Sequence, residues 1–470
     1  MGLLGGVVTR PVAAGSASVL LAVACGLGGA TGPCAAPVVR GSTIAANPHN
    51  VLSAVVSAQV DSADSVVVRF GSTGGELDSV APAVVPTIGT VVVPVLGLLP
   101  DHDYFLSLTA YGCRTANGPQ LGIRTGSLPA DLPIYSAGGP DPSPGYVVFA
   151  AGAFGLAIDN TGRVVWYHRF PNGPGLNFEA QPTGRYAARP PGGAPGGDWV
   201  EIDPLGNITG TLGCQRGLPS RFHDLIARSD SSYWVMCDET RTMDLSAAGG
   251  VAGAQVTGTT VQHVSAAGLL LSEWSPFDHF DISDIDPADR AGPLVNWTHG
   301  NALDLDADGN LLISFRSLSE ITKIDTHTGQ VRWRMGGWRN QFTFQNVATP
   351  AFARQHGLRV TGPHQFELLD NLGDPTGSRA ERYEYDEGPR GLTVRLLASL
   401  VPEVATIAQL GGSTQLLGGG HTLVAYGNGH RVEEYDASAH VVWRIDGDPG
   451  YVFRAQRIRS LYHPGVGESR

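Results

Sequence analysis

Three histidines stand in short polar stretches whose residue types suit nucleophilic and acid–base chemistry. His223 lies in Arg221-Phe222-His223-Asp224-Leu225, His299 in Trp297-Thr298-His299-Gly300-Asn301, and His356 in Arg354-Gln355-His356-Gly357-Leu358. Neutral imidazole is available near pH 7 both as a nucleophile and as a proton carrier. Arg316, at the end of Leu311-Leu312-Ile313-Ser314-Phe315-Arg316, would offer a planar fork to two oxygens of an anionic group, and Asn301 an amide donor. A fourth stretch, Gly411-Gly412-Ser413-Thr414-Gln415, is small and hydroxylic instead. Taken singly, each histidine reads as a hydrogen-bonding tie between a strand and a loop. Three of them with Asn301 and Arg316 make a polar, cationic pocket.

Other signals point away from metal or phosphate chemistry. Asp304-Leu305-Asp306-Ala307-Asp308-Gly309 imitates the start of a calcium loop, but Phe315 stands where the closing Glu belongs, so the stretch reads as a turn. The acidic run from Asp278 to Asp289, with His279 in it, reads as a solvated loop, and His263, His364 and His421 as structural. The chain has no Cys-x-x-Cys, no Gly-rich phosphate loop and no Gly-x-Ser-x-Gly elbow. No metal and no dissociable cofactor is required.

Elements must bring these residues together, and the sequence repeats in a way that does so. Ile158-Asp159 to Trp166, Ile324-Asp325 to Trp333, and Tyr435-Asp436 to Trp443 each read as a strand ending in Asp, a tight turn, and a strand with Trp. Weaker copies surround Asp203, Asp244 and Asp386. Recurrence at roughly 40–60 residues is the signature of propeller blades, each a small antiparallel sheet. Six landmarks predict six blades, with room for another between Asp244 and Asp325. The first strand of a blade lines the central channel, so the three histidines, each ahead of its landmark, converge there. Before this region, the alternating stretches Val56 to Val60 and Ser65 to Phe70 and the corner Leu98-Leu99-Pro100-Asp101-His102-Asp103-Tyr104 resemble a fibronectin type III or Ig-like β-sandwich. The expected fold class is therefore all-β: a sandwich over 36–128, a Pro/Gly/Ser-rich linker over 129–143 and a six-bladed β-propeller over 144–470.

The composition agrees. Among 470 residues, 63 Gly, 32 Pro and only 16% charged residues suit many short strands and turns. A formal net charge of -12 argues against a nucleic-acid partner, which needs a positive surface. Residues 1–35 read as an export signal, with Arg10 ahead of the apolar, small-residue run Ala17 to Ala30. Leu21-Ala22-Val23-Ala24-Cys25-Gly26 resembles a lipoprotein cleavage box, and cleavage near Ala36 is the other option. Export predicts a periplasmic or cell-surface protein, lipid-anchored to a membrane if Cys25 is acylated. Of five cysteines, Cys214 with Cys237 suits a bridge between neighbouring strands, and Cys34 with Cys113 would staple the sandwich.

From Asn296 to Asp386 the sequence resembles the bacterial arylsulfate sulfotransferases, which do not use PAPS. The resemblance rests on Trp297-Thr298-His299-Gly300-Asn301, Ser314-Phe315-Arg316 with Lys323-Ile324-Asp325, Gln355-His356, Leu369-Asp370-Asn371, and Ser378-Arg379 before Glu384-Tyr385; it continues weakly to Trp443. It implies transfer of a sulfuryl group from an aryl sulfate donor to a phenolic acceptor through a sulfated histidine. Carried over, it makes His356 the nucleophile, with His299, Asn301, Arg316 and, more loosely, His223 as catalytic partners. Gln355 and one of Ser413 and Thr414 would bind substrate. Ser317 departs from the pattern, since relatives often place His after the Arg. A homodimer is compatible with this reading. Two other classes compete with it: a non-catalytic secreted propeller that binds or scaffolds, and a quinone-dependent dehydrogenase propeller, which would need a cofactor.

Overall fold

The computed structural model describes residues 34–72, 76–87, 89–192, 197–347, 351–389 and 391–468. The N-terminal apolar run and Cys25 lie outside them. The described chain is almost wholly antiparallel sheet, with short 3-10 turns as its helical elements. Val38–Ala46, Ser53–Asp61 and Thr90–Leu96 form one sheet of the N-terminal unit, and a second is built on Ser65–Gly71 and Asp103–Tyr111. Alternate residues Val56, Val60, Val66, Val68, Leu106 and Leu108 fill the space between them. The corner read from the sequence is closed by Tyr104, whose hydroxyl accepts the amide of Leu99 at 2.9 Å. Cys34 is bonded to Cys113, and Cys214 to Cys237.

Six further sheets of four or five strands follow. Each has one inner strand, here β1 (Phe178–Gln181), β2 (Ser220–Ala227), β3 (Gly300–Leu305), β4 (His356–Gly362), β5 (Ser413–Leu416) and β6 (Ala455–Ile458). β6, near the C-terminus, completes a sheet whose other strands lie at 146–169. A strand from the sequence-defined linker, Ala137–Gly138, pairs with Val441–Ile445 at the outer edge of the neighbouring sheet. Neighbouring inner strands are tied by side chains that accept the next strand's amide. Gln181 takes Ala227 at 3.1 Å, Asp224 takes Leu303 at 2.9 Å and Asp304 takes Val360 at 2.9 Å. Gln415 takes Arg457 at 2.6 Å, and Gln456 takes Ala180 at 2.8 Å, which joins the last sheet back to the first.

The Asp–turn–Trp pattern has a structural reason. Asp159 caps its own hairpin, and the Trp of the following strand spans the gap to the next sheet's turn. The indole of Trp166 donates to Pro204 O at 2.7 Å, that of Trp333 to Glu387 Oε1 at 2.7 Å, and that of Trp443 to Asn160 O at 2.9 Å. One landmark needs correction. The Asp244 hairpin joins the second and third strands of its sheet, Tyr233–Met243 and Ala254–Val264, and the equivalent outer turn is at 265–269 without Asp. The interval before Asp325 holds no further sheet among the described residues. Between the two sheets that share it, residues 275–299 form short 3-10 turns and a strand, Leu294–Asn296, added parallel to Ala254–Val264. In the Asp304–Gly309 turn, the ammonium of Lys323 lies 2.8 Å from both Asp306 and Asp308, where a cation would sit in a calcium loop.

Candidate active site

The inner strands start at one mouth of the ring, and this brings the three histidines together. His223 lies in β2, His299 just before β3, and His356 opens β4. Nε2 of His299 is 3.1 Å from Nε2 of His223, and Nδ1 of His299 is 2.6 Å from the amide nitrogen of Asn296. With Asn296 donating, His299 carries its proton on Nε2 and offers it to His223. Nδ1 of His223 is then a buried ring nitrogen with no hydrogen-bond partner. Phe453 meets both His223 and His356 edge-on, with centroids 5.8 and 6.3 Å away.

Backbone conformation holds these rings in place. His299 has φ +47°, in the left-handed region that non-glycine residues rarely adopt, and its carbonyl accepts the amide of Arg316 at 3.0 Å. Gly357, beside His356, has φ +65°, and a Cβ there would lie 2.6 Å from the Cα of Ser413. β4 and β5 approach this closely only because the side chain is missing.

His356 is 2% exposed, and its Nδ1 lies 2.9 Å from Oδ1 of Asn371. Burial, with Arg316 and Arg454 nearby, pushes its pKa down to about 3, against the opposing pull of the Asn371 contact. Burial first and then Arg221 likewise hold His223 and His299 well below the ordinary histidine range. All three are therefore neutral at pH 7. Arg316 is half-buried and its Nε has no partner; burial and the neighbouring Arg354 lower its pKa. Arg354 is itself held by Asp289 at 2.5 Å.

Other residues singled out by sequence take these places. Asn301 is fully buried, and its amide donates to Gln355 O at 2.6 Å, bracing the residue before His356. Gln355 donates from its side chain to Ser314 Oγ at 3.0 Å and to Glu320 O at 3.1 Å. The Ser413 hydroxyl accepts the amide of Ala455 at 3.1 Å, which clamps β5 to β6. Thr414 turns the other way, into a crevice with Glu367 and Arg382. Of the two, Ser413 is therefore the one beside the strand that carries His356.

Beneath the histidines lies a buried charge network that sequence reasoning missed. Arg359 of β4 holds Asp224 at 2.9 Å and Glu179 at 2.9 Å, and Arg454 holds Asp224 at 2.9 Å. Arg454 also donates to Asn301 O at 3.0 Å. Phe453 and Arg454 precede β6, and only closure of the ring brings them to the histidines. Their one sequence signal is the aromatic and basic run Tyr451-Val452-Phe453-Arg454 after the last Asp–turn–Trp copy. A cleft of about 590 Å³ opens beside the histidines, walled by Phe222, Leu294, Val295, Thr257, His223 and His299.

Residues 219–448, which run from the start of β2 to the strand carrying Trp443, match the family described as Arylsulfotransferase (ASST). Over that stretch the chain is similar to the arylsulfotransferase family. The matched stretch holds His223, His299, Asn301, Arg316, His356 and Asn371, and leaves Phe453 and Arg454 outside. No curated protein matches the chain. Among solved structures it is similar to a protein of unknown function from Bacteroides caccae, at 13% identity and TM-score 0.43, over 68% of this chain and 100% of that one. It is also similar to virginiamycin B lyase from Staphylococcus aureus, at 9% identity and TM-score 0.37, over 66% of this chain and 88% of that one.

Proposed function

We propose that this protein moves a sulfuryl group from an aryl sulfate to a phenol in two steps, through a sulfated His356. The observation that carries the reading is the neutral, buried His356 with its Nδ1 engaged by Asn371, beside an arginine with an unpartnered Nε and a pair of linked histidines. In the first step the lone pair of His356 Nε2 forms an N–S bond and the bond from sulfur to the aryl oxygen breaks. The leaving oxygen takes a proton from the His223–His299 pair. Arrival of a sulfate ester anion beside that pair raises its basicity, so the neutral pair takes up one proton from solvent and becomes the acid that supplies the leaving oxygen. In the second step the pair removes the proton of the incoming phenol, whose oxygen attacks sulfur as the N–S bond breaks. Negative charge on the sulfuryl oxygens rests on Arg316, as in a loose phosphoryl-type transition state.

The ring of six sheets is read here as a six-bladed β-propeller, and the N-terminal unit as a fibronectin type III-like sandwich. The two disulfides support export to an oxidising compartment.

The test is mass spectrometry after brief exposure to 4-nitrophenyl sulfate, with nitrophenol release followed in parallel. The expected result is a sulfuryl adduct on His356 that added phenol discharges. His356→Ala is expected to stay folded and to lose turnover. Nitrophenol release without an adduct would keep an enzyme and discard the covalent histidine; neither signal would favour a binding propeller.

A further inference from the structure

Resting on that reading, we propose that Asn371 is a positioning residue that fixes the tautomer of His356 and leaves its Nε2 bare as the attacking atom. Asn371 is 1% exposed and follows the strand Gln365–Asp370, which pairs with β4 through His356 and Leu369. Its amide nitrogen donates to Ala408 O at 2.7 Å and to Gly411 O at 3.0 Å. Carbonyl oxygens only accept, so both amide hydrogens are committed and the orientation of the side chain is determined. Oδ1 therefore faces His356, and because an amide oxygen cannot donate, Nδ1 of His356 must carry the hydrogen. The lone pair of the ring then lies on Nε2.

The segment that holds Asn371 is itself braced. The Ser378 hydroxyl donates to Asn371 O at 2.8 Å and accepts the amide of Ala408 at 2.8 Å, while the Ser378 amide donates to Thr406 O at 2.7 Å. The same segment offers Gln409 O to Arg316 at 3.4 Å. One stretch of chain thus positions both the nucleophile and the arginine.

An amide suits this place better than a carboxylate. Aspartate would set negative charge against the carbonyls of Ala408 and Gly411. It would also favour imidazolium, whose Nε2 has no lone pair. A neutral acceptor keeps Nδ1–H in place while Nε2 gains and loses the sulfuryl group, so the ring can carry the developing positive charge without shedding a proton.

The test combines ¹⁵N NMR of histidine-labelled protein, which reports which ring nitrogen bears hydrogen, with the burst of nitrophenol from 4-nitrophenyl sulfate. In the wild type, His356 is expected as the Nδ1–H tautomer. Asn371→Ala is expected to slow the burst by about 100-fold, the scale of a misplaced reacting group, with little change in donor affinity. Asn371→Asp is expected to gain a loss of burst rate on acidification that the wild type lacks. If Asn371→Ala fails to fold, the wild-type tautomer and the Asn371→Asp profile decide. An Nε2–H tautomer in the wild type, a full-rate Asn371→Ala, or an Asn371→Asp profile like the wild type would overturn the assignment. A wild type with the Nδ1–H tautomer but no burst would uphold the positioning and sink the sulfuryl-transfer reading instead.

Discussion

The chemistry proposed for His356 depends on its being uncharged beside Arg316 and Arg454. Burial lowers its pKa to about 3, so the neutral form persists as pH falls and is lost only when pH passes through that folded value. A free histidine would lose its lone pair near pH 6.5. The pre-steady-state burst from 4-nitrophenyl sulfate should therefore not decline between pH 7 and pH 5. Stopped-flow measurement of nitrophenol release checks this, and a limb centred near pH 6.5 would show that His356 titrates as if in water. Sequence placed the histidine; the partner at its Nδ1, Asn371, comes from just past the end of another strand.

At the scale of the element, the six inner strands work because they approach closely at their first residues. Gly357, beside His356, is one such close approach. Gly357→Ala would place a Cβ against Ser413 at a positive φ, and is expected to cost roughly 1–3 kcal/mol of stability from backbone strain alone. Urea denaturation reads the loss, and an unchanged midpoint would mean that β4 and β5 have room to part. The repeat in the sequence was legible because its chemistry is local: Asp accepts amides of its own turn, and Trp follows within the next strand. The Asp244 copy misled because the same turn chemistry serves any hairpin, here the one between the second and third strands.

Across the whole molecule, Glu179, Asp224, Arg359 and Arg454 bind four of the six sheets through one buried cluster. Removing one charge strands the others away from water. Asp224→Asn is expected to lower stability by about 3–5 kcal/mol, the usual loss when one partner of a buried pair is removed. Equilibrium unfolding measures it, and a change below about 1 kcal/mol would show that the cluster is solvated. Because Arg454 stands just ahead of β6, the same network also reports whether the ring has closed.

By itself the sequence determined the all-β class, the hairpin repeat, and the set of histidines with Arg316 that would meet at one mouth. Those follow from period-two alternation and turn chemistry, which act over a few residues. Only the tertiary structure decided that Asn371 faces His356, that the amide of Asn301 is committed to Gln355, and that Ser413 rather than Thr414 lies beside the strand that carries His356. It also brought Phe453 and Arg454 across from the far end of the chain. These contacts are set by how six sheets close on one another, and the direction of a side chain across a closed ring leaves no local pattern to read.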